Sequence, residues 1–231
     1  MRKTNGWIVK LAVAAVLAAL AALTCRVTVV WDKKGATTLD AGGNEVAAVE
    51  LSVAEQYCLD NWETKMLPAI KEKAIDVAAV VEGVKADLPV YGAQNATREN
   101  ATSAYNFCVE GKVKVLEIEN PEKDSKKRLL IDVMPYDGRA DAKVQISSVI
   151  KTNALRDAVG FLKLDDFGNQ VTFAELTKAF NARVQKDVLA SLDPDALVGK
   201  EIALTGCVAV SSYADADSIL IVPVSIVEVG G

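Results

Sequence analysis

The clearest evidence for the fold lies in residues 107–133, FCVEGKVKVLEIENPEKDSKKRLLIDV, where apolar and charged side chains alternate. Val113 and Val115 alternate with lysines, and Leu116 and Ile118 then alternate with glutamates. The apolar phase therefore shifts by one residue between positions 115 and 116, which is the effect of a β-bulge. A bulge bends its strand, and such a bend lets a sheet curl into a barrel.

The strand pattern recurs on both sides of a helical stretch. Four further segments are predicted to be strands: 129–133, 144–149, 202–210 and 219–229, the last with Pro223 at a bend or an edge position. Residues 152–192, between the second and third of these, have helical periodicity, and a capping box is predicted to begin at Thr172. Three strands, a helical insertion and two more strands are the order of an OB-type barrel.

We therefore predict an α+β protein with an OB-like five-stranded β-barrel over residues 105–231 and a helical insertion between strands 3 and 4. Closure of the barrel would hide the edges that five short strands otherwise expose. An open α+β sandwich is the alternative.

Residues 51–104 are predicted to form a helical segment in front of the barrel. Ser52 and Glu55 have the spacing of a capping box. Pro68 is expected to kink or divide the helix, and Gly83 is expected to end it and leave a loop. An apolar stripe at helical spacing is interpreted as a core face. The stripe consists of Tyr57, Trp62, Met66, Ile70 and Ala74.

The first 24 residues have the features of a secretory signal peptide. Basic residues precede an apolar run from Leu11 to Leu23. Counted to Thr24 the run has 14 residues, whereas a membrane-spanning helix needs about 20. We therefore expect residues 1–24 to be a signal peptide that is removed.

Cys25 follows the residues Ala-Leu-Thr, which resemble a bacterial lipobox. In that motif the chain is cleaved just before the cysteine, which receives a diacylglycerol. We expect lipidation of Cys25, which would hold the protein at a membrane surface through its acyl chains. An ordinary cleaved signal or an uncleaved anchor is the alternative. Residues 25–50, polar and glycine-containing, are then predicted to form a lipid-anchored tether.

The composition argues against nucleic-acid binding and against catalysis. Without residues 1–24 the chain has 23 Lys and Arg against 31 Asp and Glu, a net charge of −8, which disfavours binding to a phosphate backbone. The sequence contains no histidine, the commonest general base and metal ligand. It also has no nucleophile motif and no metal-ligand spacing. We predict that the protein is not an enzyme and has no catalytic residues, metal or cofactor.

The cysteines lie at positions 25, 58, 108 and 207, and none has the CxxC spacing of a zinc or redox motif. If Cys25 is lipidated, three cysteines remain in an oxidising compartment. A disulfide between Cys58 and Cys108, with Cys207 as a buried thiol, is one pairing, and the sequence leaves the others open.

The densest polar cluster follows the third predicted strand. Asn153, Arg156 and Asp157 share one face of a predicted helix because they are three and four residues apart. The next loop adds three more polar residues, Asp166, Asn169 and Gln170. Amides, carboxylates and an arginine are the groups of a polyol-binding cleft, so all six are candidate contacts for a ligand or a partner. Alternatively, Arg156 pairs with a carboxylate as structural support and the amides cap loop backbone.

The same region resembles a known family. Residues 145–158, QISSVIKTNALRDA, and residues 166–170, DFGNQ, match its most specific blocks. Residues 62–74, WETKMLPAIKEKA, and a leader ending at Cys25 are also similar to it. These blocks resemble the bacterial predicted periplasmic lipoproteins of domain-of-unknown-function family twenty-two ninety-one. The chain departs from the family pattern at residues 147–148, where Ser-Ser replaces the usual Gly-Pro.

The resemblance implies a location and a pathway, not a chemistry. Members of the family look like exported lipoproteins that are often encoded beside sugar-type ABC transport systems. We therefore expect a membrane-anchored periplasmic protein that is an accessory or scaffolding component of a carbohydrate ABC uptake system. The alternative is a module that binds a small, sugar-like solute. The expected partners are ABC transporter components and a membrane, reached through the lipid on Cys25 or an uncleaved anchor, but no nucleic acid.

Overall fold

The computed structural model describes residues 51–211 and 219–230, together with the backbone of two short segments at 37–39 and 45–47. The predicted signal peptide and Cys25 lie outside the described residues. Residues 1–50 and 51–231 are separate units. In the first unit, strands β1 (Thr37–Leu39) and β2 (Glu45–Ala47) pair in antiparallel fashion.

The described helices and the remaining described strands lie in the second unit. Its helices are α1 (Val53–Asn61), α2 (Leu67–Glu72), α3 (Val77–Asn95), α4 (Ala154–Ala158), α5 (Gln170–Val184) and α6 (Pro194–Leu197). Its strands are β3 (Ile75–Asp76), β4 (Tyr105–Glu119), β5 (Arg128–Val133), β6 (Ala142–Gln145), β7 (Glu201–Val210) and β8 (Leu220–Glu228). Two π-helical turns extend α1 and α5, at Trp62–Met66 and Gln185–Leu189, and 3-10 turns occur at Asp124–Lys126 and Leu164–Phe167.

Five strands close into a barrel. β4 pairs with β5 and β5 with β6, both antiparallel, and β6 runs parallel to β8. β8 pairs with β7, and β7 returns to β4 along a register from Tyr105–Val210 to Lys114–Glu201. The short β3 adds to β4 in parallel. The helices between β6 and β7 form the predicted insertion between the third and fourth barrel strands.

The long strand β4 bends at the predicted bulge. Its register with β5 shifts between Val115 and Glu117. The residues before the shift pair mainly with β7, and those after it pair with β5. One strand therefore pairs on both sides of the barrel seam, and its bulge lies where the change of apolar phase predicted it.

The residues that the structure describes form two apolar cores. One fills the barrel, where side chains such as Val113 and Ile131 are completely buried. The other lies between the outer surface of the barrel and the helices, and contains Trp62 and Phe180, whose ring centroids are 6.0 Å apart. Met66 also lies in this second core, so the apolar stripe of the helical segment is a core face, as predicted.

The start of the helical segment is also as predicted. Ser52 Oγ accepts a hydrogen bond from the Glu55 N–H at 3.2 Å, and Glu55 Oε2 accepts one from the Ser52 N–H at 2.8 Å. This reciprocal capping box begins α1. Pro68 lies in the first turn of α2, directly after the π-helical turn Trp62–Met66 through which the chain passes from α1 to α2 rather than through a break.

The predicted helix end at Gly83 is wrong, because α3 continues to Asn95. Gly83 instead lets the Tyr91 ring pack directly against the backbone, because a Cβ at position 83 would lie 2.3 Å from that ring. The helix is interrupted at Asp87, whose φ of −162° is not helical, and Asp87 Oδ1 accepts a hydrogen bond from the Val90 N–H at 3.0 Å. Asp87 therefore caps a second helical stretch that sequence periodicity did not reveal.

The boundaries in the insertion also differ from expectation. Asn169, not Thr172, caps α5: its Oδ1 accepts a hydrogen bond from the Thr172 N–H at 2.9 Å. The third barrel strand ends at Gln145, and Val149 is exposed rather than part of it. Side-chain acceptors near each helix start compete for the cap, and the sequence alone does not determine which one prevails.

Candidate functional site

Arg156 is a buried cation in the helical insertion. It lies on α4, and only 8% of the residue is exposed. Its Nε donates to Asp157 Oδ1 at 2.6 Å, and its Nη1 donates to the backbone carbonyl of Phe173 at 3.2 Å. The guanidinium carbon lies 4.0 Å from the centroid of the Phe173 ring, which is a cation–π contact. Arg156 thus joins α4 to the beginning of α5.

The local sequence determines where α4 begins and ends. Thr152 Oγ1 accepts a hydrogen bond from the Ala154 N–H at 3.1 Å. Gly160, with a φ of +75°, takes the chain out of helical geometry. Asn181 of α5 donates from Nδ2 to the carbonyls of Ile150 and Thr152 and holds the segment that leads into α4. These contacts orient the polar face of α4.

A cleft of about 320 Å³ opens beside Arg156. Its walls come from the loop after α3, from the barrel strands β4 and β7, and from the helical insertion. Asn106 of β4 and Ala209 of β7 are register partners and supply the barrel wall. Phe173 supplies aromatic surface. The charged residues that line the cleft are Arg98, Glu99, Arg156, Asp157 and Lys163.

The lining suits hydrogen bonding to a small polar molecule. Charges of both signs line the cleft, so they do not combine into one strong field. The amides of Asn106 and Asn153 add donors and acceptors, and an aromatic ring such as Phe173 can pack against an apolar ligand face. The volume lies at the lower end of the range for small-molecule pockets, roughly 300–1,000 Å³.

The loop that forms one wall, residues 97–104, was not identified from the sequence as part of a site. Thr97 Oγ1 donates to the carbonyl of Ala158 at 3.0 Å and so ties this loop to α4. Arg98 donates from Nε to the Ser103 carbonyl at 2.8 Å, and its guanidinium lies 3.9 Å from the Tyr105 ring centroid. A single arginine in a stretch of Asn, Thr and Ala was the available signal.

The structure brings only half of the six candidate residues to the cleft. Asn153, Arg156 and Asp157 line it. Asp166 is exposed in the 3-10 turn at Leu164–Phe167 and does not line the cleft. Asn169 caps α5, and Gln170 is the exposed first residue of that helix. For Asn169 the capping interpretation is therefore correct, while Arg156 has both a carboxylate partner and an open cleft beside it.

A second concave surface lies between α1 and α5, and we call it the α1/α5 groove. It has a volume of about 680 Å³ and is mainly apolar. Leu51 and Leu59 line it and are 42% and 56% exposed. Acidic and basic side chains also line it: Glu55, Glu175, Lys178, Arg183 and Lys186. Exposed leucines in a groove bordered by charges are typical of a protein-binding surface.

Comparison with known proteins gives the family. The model of the family described as Predicted periplasmic lipoprotein (DUF2291) matches residues 15–227. The chain belongs to this family. The family has no established function. Its members are described as periplasmic lipoproteins, so this DUF2291 protein is a membrane-anchored lipoprotein of the periplasm, as the leader and the resemblance predicted.

A solved structure supports the fold of the DUF2291 protein. The crystal structure of an OB-fold protein from Thermotoga maritima is similar with a TM-score of 0.65 and 16% sequence identity, over 78% of this chain and 100% of that one. At this identity the likeness concerns the fold alone, which is the predicted OB-like barrel. No curated protein matches the sequence significantly.

Cys58, Cys108 and Cys207 of the DUF2291 protein are all free thiols in the structure, and the pairing of Cys58 with Cys108 stays a prediction. Cys108 lies opposite Cys207, with 3.8 Å between their sulfur atoms. Burial raises the pKa of the Cys58 thiol to about 11, which keeps it protonated and unreactive.

The described part of the DUF2291 protein has neither a metal-binding cluster nor a membrane-spanning helix. Within residues 51–211 and 219–230, no cluster of three or more acidic or cysteine side chains could hold a metal ion. In the same residues, no helix combines the length and hydropathy of a membrane span.

Proposed function

We propose that this DUF2291 protein is a lipid-anchored accessory component of a carbohydrate ABC uptake system and acts by binding a transporter protein. Family membership supports the periplasmic location. The resemblance to lipoproteins encoded beside sugar-type transport systems supports the pathway. The observation that carries the proposal is the α1/α5 groove, an exposed apolar surface on a periplasmic protein.

The chemistry of the groove favours a folded protein segment as its occupant. Leu59 projects from α1, and the small side chains of Ala179 and Ala182 on α5 leave room beside it. A groove between two helices can accept the apolar face of a third helix. Charges of both signs around it, such as Glu55 and Lys186, would select the orientation of that helix by charge complementarity.

The position of the groove in the chain also supports a partner at the membrane. The second unit begins at Leu51, which itself lines the groove. If Cys25 carries the lipid, residues 26–50 connect it to the groove, and because β1 and β2 pair within this segment its reach is shorter than the roughly 85 Å of a fully extended chain. A transporter in the same membrane is therefore within reach of the groove.

The experiment is site-specific photo-crosslinking in living cells with the full-length, C-terminally tagged protein. A photoreactive residue replaces Leu59 in the groove, and a matched variant carries it at Val227, which is 58% exposed on β8. We expect Leu59, but not Val227, to capture a transporter permease or its solute-binding protein. Capture of the same proteins from both positions, or of no transporter protein from Leu59, would overturn the proposal.

A second candidate function is supported by the cleft at Arg156. A buried guanidinium stacked on Phe173 and amides from Asn106 and Asn153 are the groups with which proteins bind sugars. The hydrogen bonds from Arg156 to Asp157 and to the Phe173 carbonyl hold the polar groups of the cleft in place before a ligand arrives. Preorganisation of this kind increases affinity because less side-chain entropy is lost on binding.

The direct test is calorimetric titration of the purified protein with a panel of monosaccharides and disaccharides. A ligand should also raise the melting temperature, because it binds only the folded state. Phe173→Leu should weaken binding by about tenfold through loss of the stacking face. Phe161→Leu is the matched control, since Phe161 is 40% exposed and does not line the cleft. Equal affinities of the two variants, or no heat with any sugar, would exclude this function.

A further inference from the structure

Cys108 and Cys207 face each other across the seam that closes the barrel. They are direct register partners in the antiparallel pairing of β4 with β7. Their sulfur atoms are 3.8 Å apart. Both residues are buried, and they lie in the core between the outer surface of the barrel and the helices. The sequence separation of 99 residues had concealed this proximity.

The register satisfies the geometry of a covalent bond between the two residues. Directly opposed residues of antiparallel strands have Cα atoms about 4.5–5.5 Å apart, and disulfides span Cα separations of about 4.4–6.8 Å. The sulfur atoms, 3.8 Å apart in the structure, must approach to about 2.05 Å, and rotation of the two side chains is the movement that closes this gap.

We propose that Cys108 and Cys207 form an intrachain disulfide when the protein reaches the periplasm. The compartment is oxidising, and family membership locates the protein there. Cys58 then remains the free thiol among the three cysteines that the structure describes, in place of the Cys58–Cys108 pairing that the sequence first suggested.

The bond forms by exchange with a disulfide-carrying oxidant of the thiol oxidoreductase class, before the strands close over the sulfurs. The Cys108 thiolate attacks one sulfur of the oxidant's disulfide, forming a mixed disulfide and releasing the other sulfur as a thiolate. The Cys207 thiolate then attacks the Cys108 sulfur and expels the oxidant. Two electrons pass to the oxidant, which takes up the two protons that the cysteines lose and leaves as a dithiol.

The folded environment distinguishes the two thiols of the pair. The Cys207 thiol donates a hydrogen bond to the Cys108 sulfur, which lowers the pKa of Cys108, and the positive charge of Lys73 lowers it further. The pKa of Cys207 is raised by the same hydrogen bond and by burial. In the folded protein Cys108 is therefore the more readily deprotonated thiol of the pair, and the exchange itself takes place before this environment forms.

The disulfide would also stiffen the wall of the polar cleft. Asn106 and Ala209 are the register pair two positions along from Cys108 and Cys207, and both line the cleft. Side chains two residues apart on a strand lie on the same face of the sheet. A covalent bond between β4 and β7 would thus hold together the two strands that form the barrel wall of the cleft.

The test is a thiol count on the full mature protein purified from cell envelopes. The protein is denatured in iodoacetamide with or without prior reduction, and peptides are mapped by mass spectrometry. We expect alkylation at Cys58 alone without reductant, and at Cys58, Cys108 and Cys207 after reduction. A linked peptide joining Cys108 to Cys207 should appear only in the unreduced sample.

The Cys58→Ser variant is the matched control, because it should show no alkylation among these three positions until it is reduced. Alkylation of Cys108 and Cys207 in the unreduced wild-type protein would overturn the proposal. A linked peptide that contains Cys58 would overturn it equally. Neither result depends on whether a Cys108 variant folds, since the decisive measurement uses the wild-type chain.

Discussion

The guanidinium of Arg156 lies over the ring of Phe173, 4.0 Å from its centroid, and also donates to the backbone carbonyl of the same residue. One side chain thus contacts both the ring and the main chain of a residue in the first turn of α5. The Asp157 carboxylate holds the other side of the guanidinium. This arrangement connects the two helices that border the cleft.

We expect Arg156→Ala to lower the free energy of unfolding by about 2–4 kcal/mol, because the variant loses the hydrogen bonds of a buried charge and its stacking contact with Phe173. Urea denaturation measures this change. Lys163→Ala, at an exposed lysine of the same cleft, should change the free energy by less than about 0.5 kcal/mol. Equal effects of the two substitutions would show that Arg156 does not hold the insertion together.

Gly206 allows a close approach between two barrel strands. It lies opposite Pro223 of β8, where the register between β7 and β8 shifts. A Cβ at Gly206 would lie 2.4 Å from the Val222 carbonyl oxygen, which is backbone and cannot rotate away. The shift in register and the missing side chain therefore belong to one local bend of the barrel.

Gly206→Ala should destabilise the protein by about 1–3 kcal/mol, because the strands must separate to admit the methyl group. Gly230→Ala is the matched control, since a Cβ there meets no atom within 4 Å. The melting temperatures of the two variants measure the difference. A Gly206→Ala protein that melts with the wild type would mean that this part of the seam is less tightly packed than the structure has it.

Much of this barrel was predictable from the sequence because local pattern and final fold agree there. The alternation of Val113 and Val115 with lysines, followed by a change of phase, predicted both the strand and its bulge. The capping box of Ser52 and Glu55 is likewise a local signal that the structure retains. Such features depend on neighbours within a few residues.

The unpredicted features depend on residues that are distant in sequence. Cys108 meets Cys207 only after the barrel has closed. The cleft also depends on residues that are distant in sequence. One of its walls is the loop after α3 and another is the insertion after β6, and the hydrogen bond from Thr97 to Ala158 that joins them spans 61 positions.

Glu119 provides a pH-dependent contribution to stability at the end of β4. Lys143 and Arg128 donate to its carboxylate at 2.8 and 3.2 Å. The hydrogen bond from Lys143 is the main reason that the pKa of Glu119 lies below its ordinary value of 4.5. A carboxyl group with a lowered pKa stabilises the folded state above its unfolded pKa, and this stabilisation is lost as the pH falls through the folded value.

We therefore expect Glu119→Gln to destabilise the protein slightly at pH 7, by less than about 1 kcal/mol because the pair is partly exposed. The difference from wild type should shrink as the pH falls below about 4.5, the ordinary pKa of the group. Urea denaturation between pH 7 and pH 3 measures it. Glu122→Gln, at a more exposed glutamate, should show no such trend, and a constant Glu119→Gln difference across the range would contradict the assignment.

The proposed disulfide predicts a redox-dependent stability. A bond between residues 99 positions apart removes much of the entropy of the unfolded chain, which amounts to about 4.7 kcal/mol for a loop of about 100 residues in the chain-entropy model and typically 2–4 kcal/mol in practice. Reduction should therefore lower the urea midpoint of the wild-type protein. The Cys108→Ser/Cys207→Ser double variant should have the lower midpoint in both conditions.

The matched control for this comparison is Cys58→Ser, which keeps the cross-strand pair and should respond to reductant as the wild type does. A reductant effect that persists in the double variant would have to arise elsewhere in the chain. If the midpoint of the wild type is the same with and without reductant, while a thiol count finds the bond intact before reduction, the strain of the bond offsets its entropic gain. In that case Cys108 and Cys207 would still be linked, but the linkage would not be what stabilises the barrel seam.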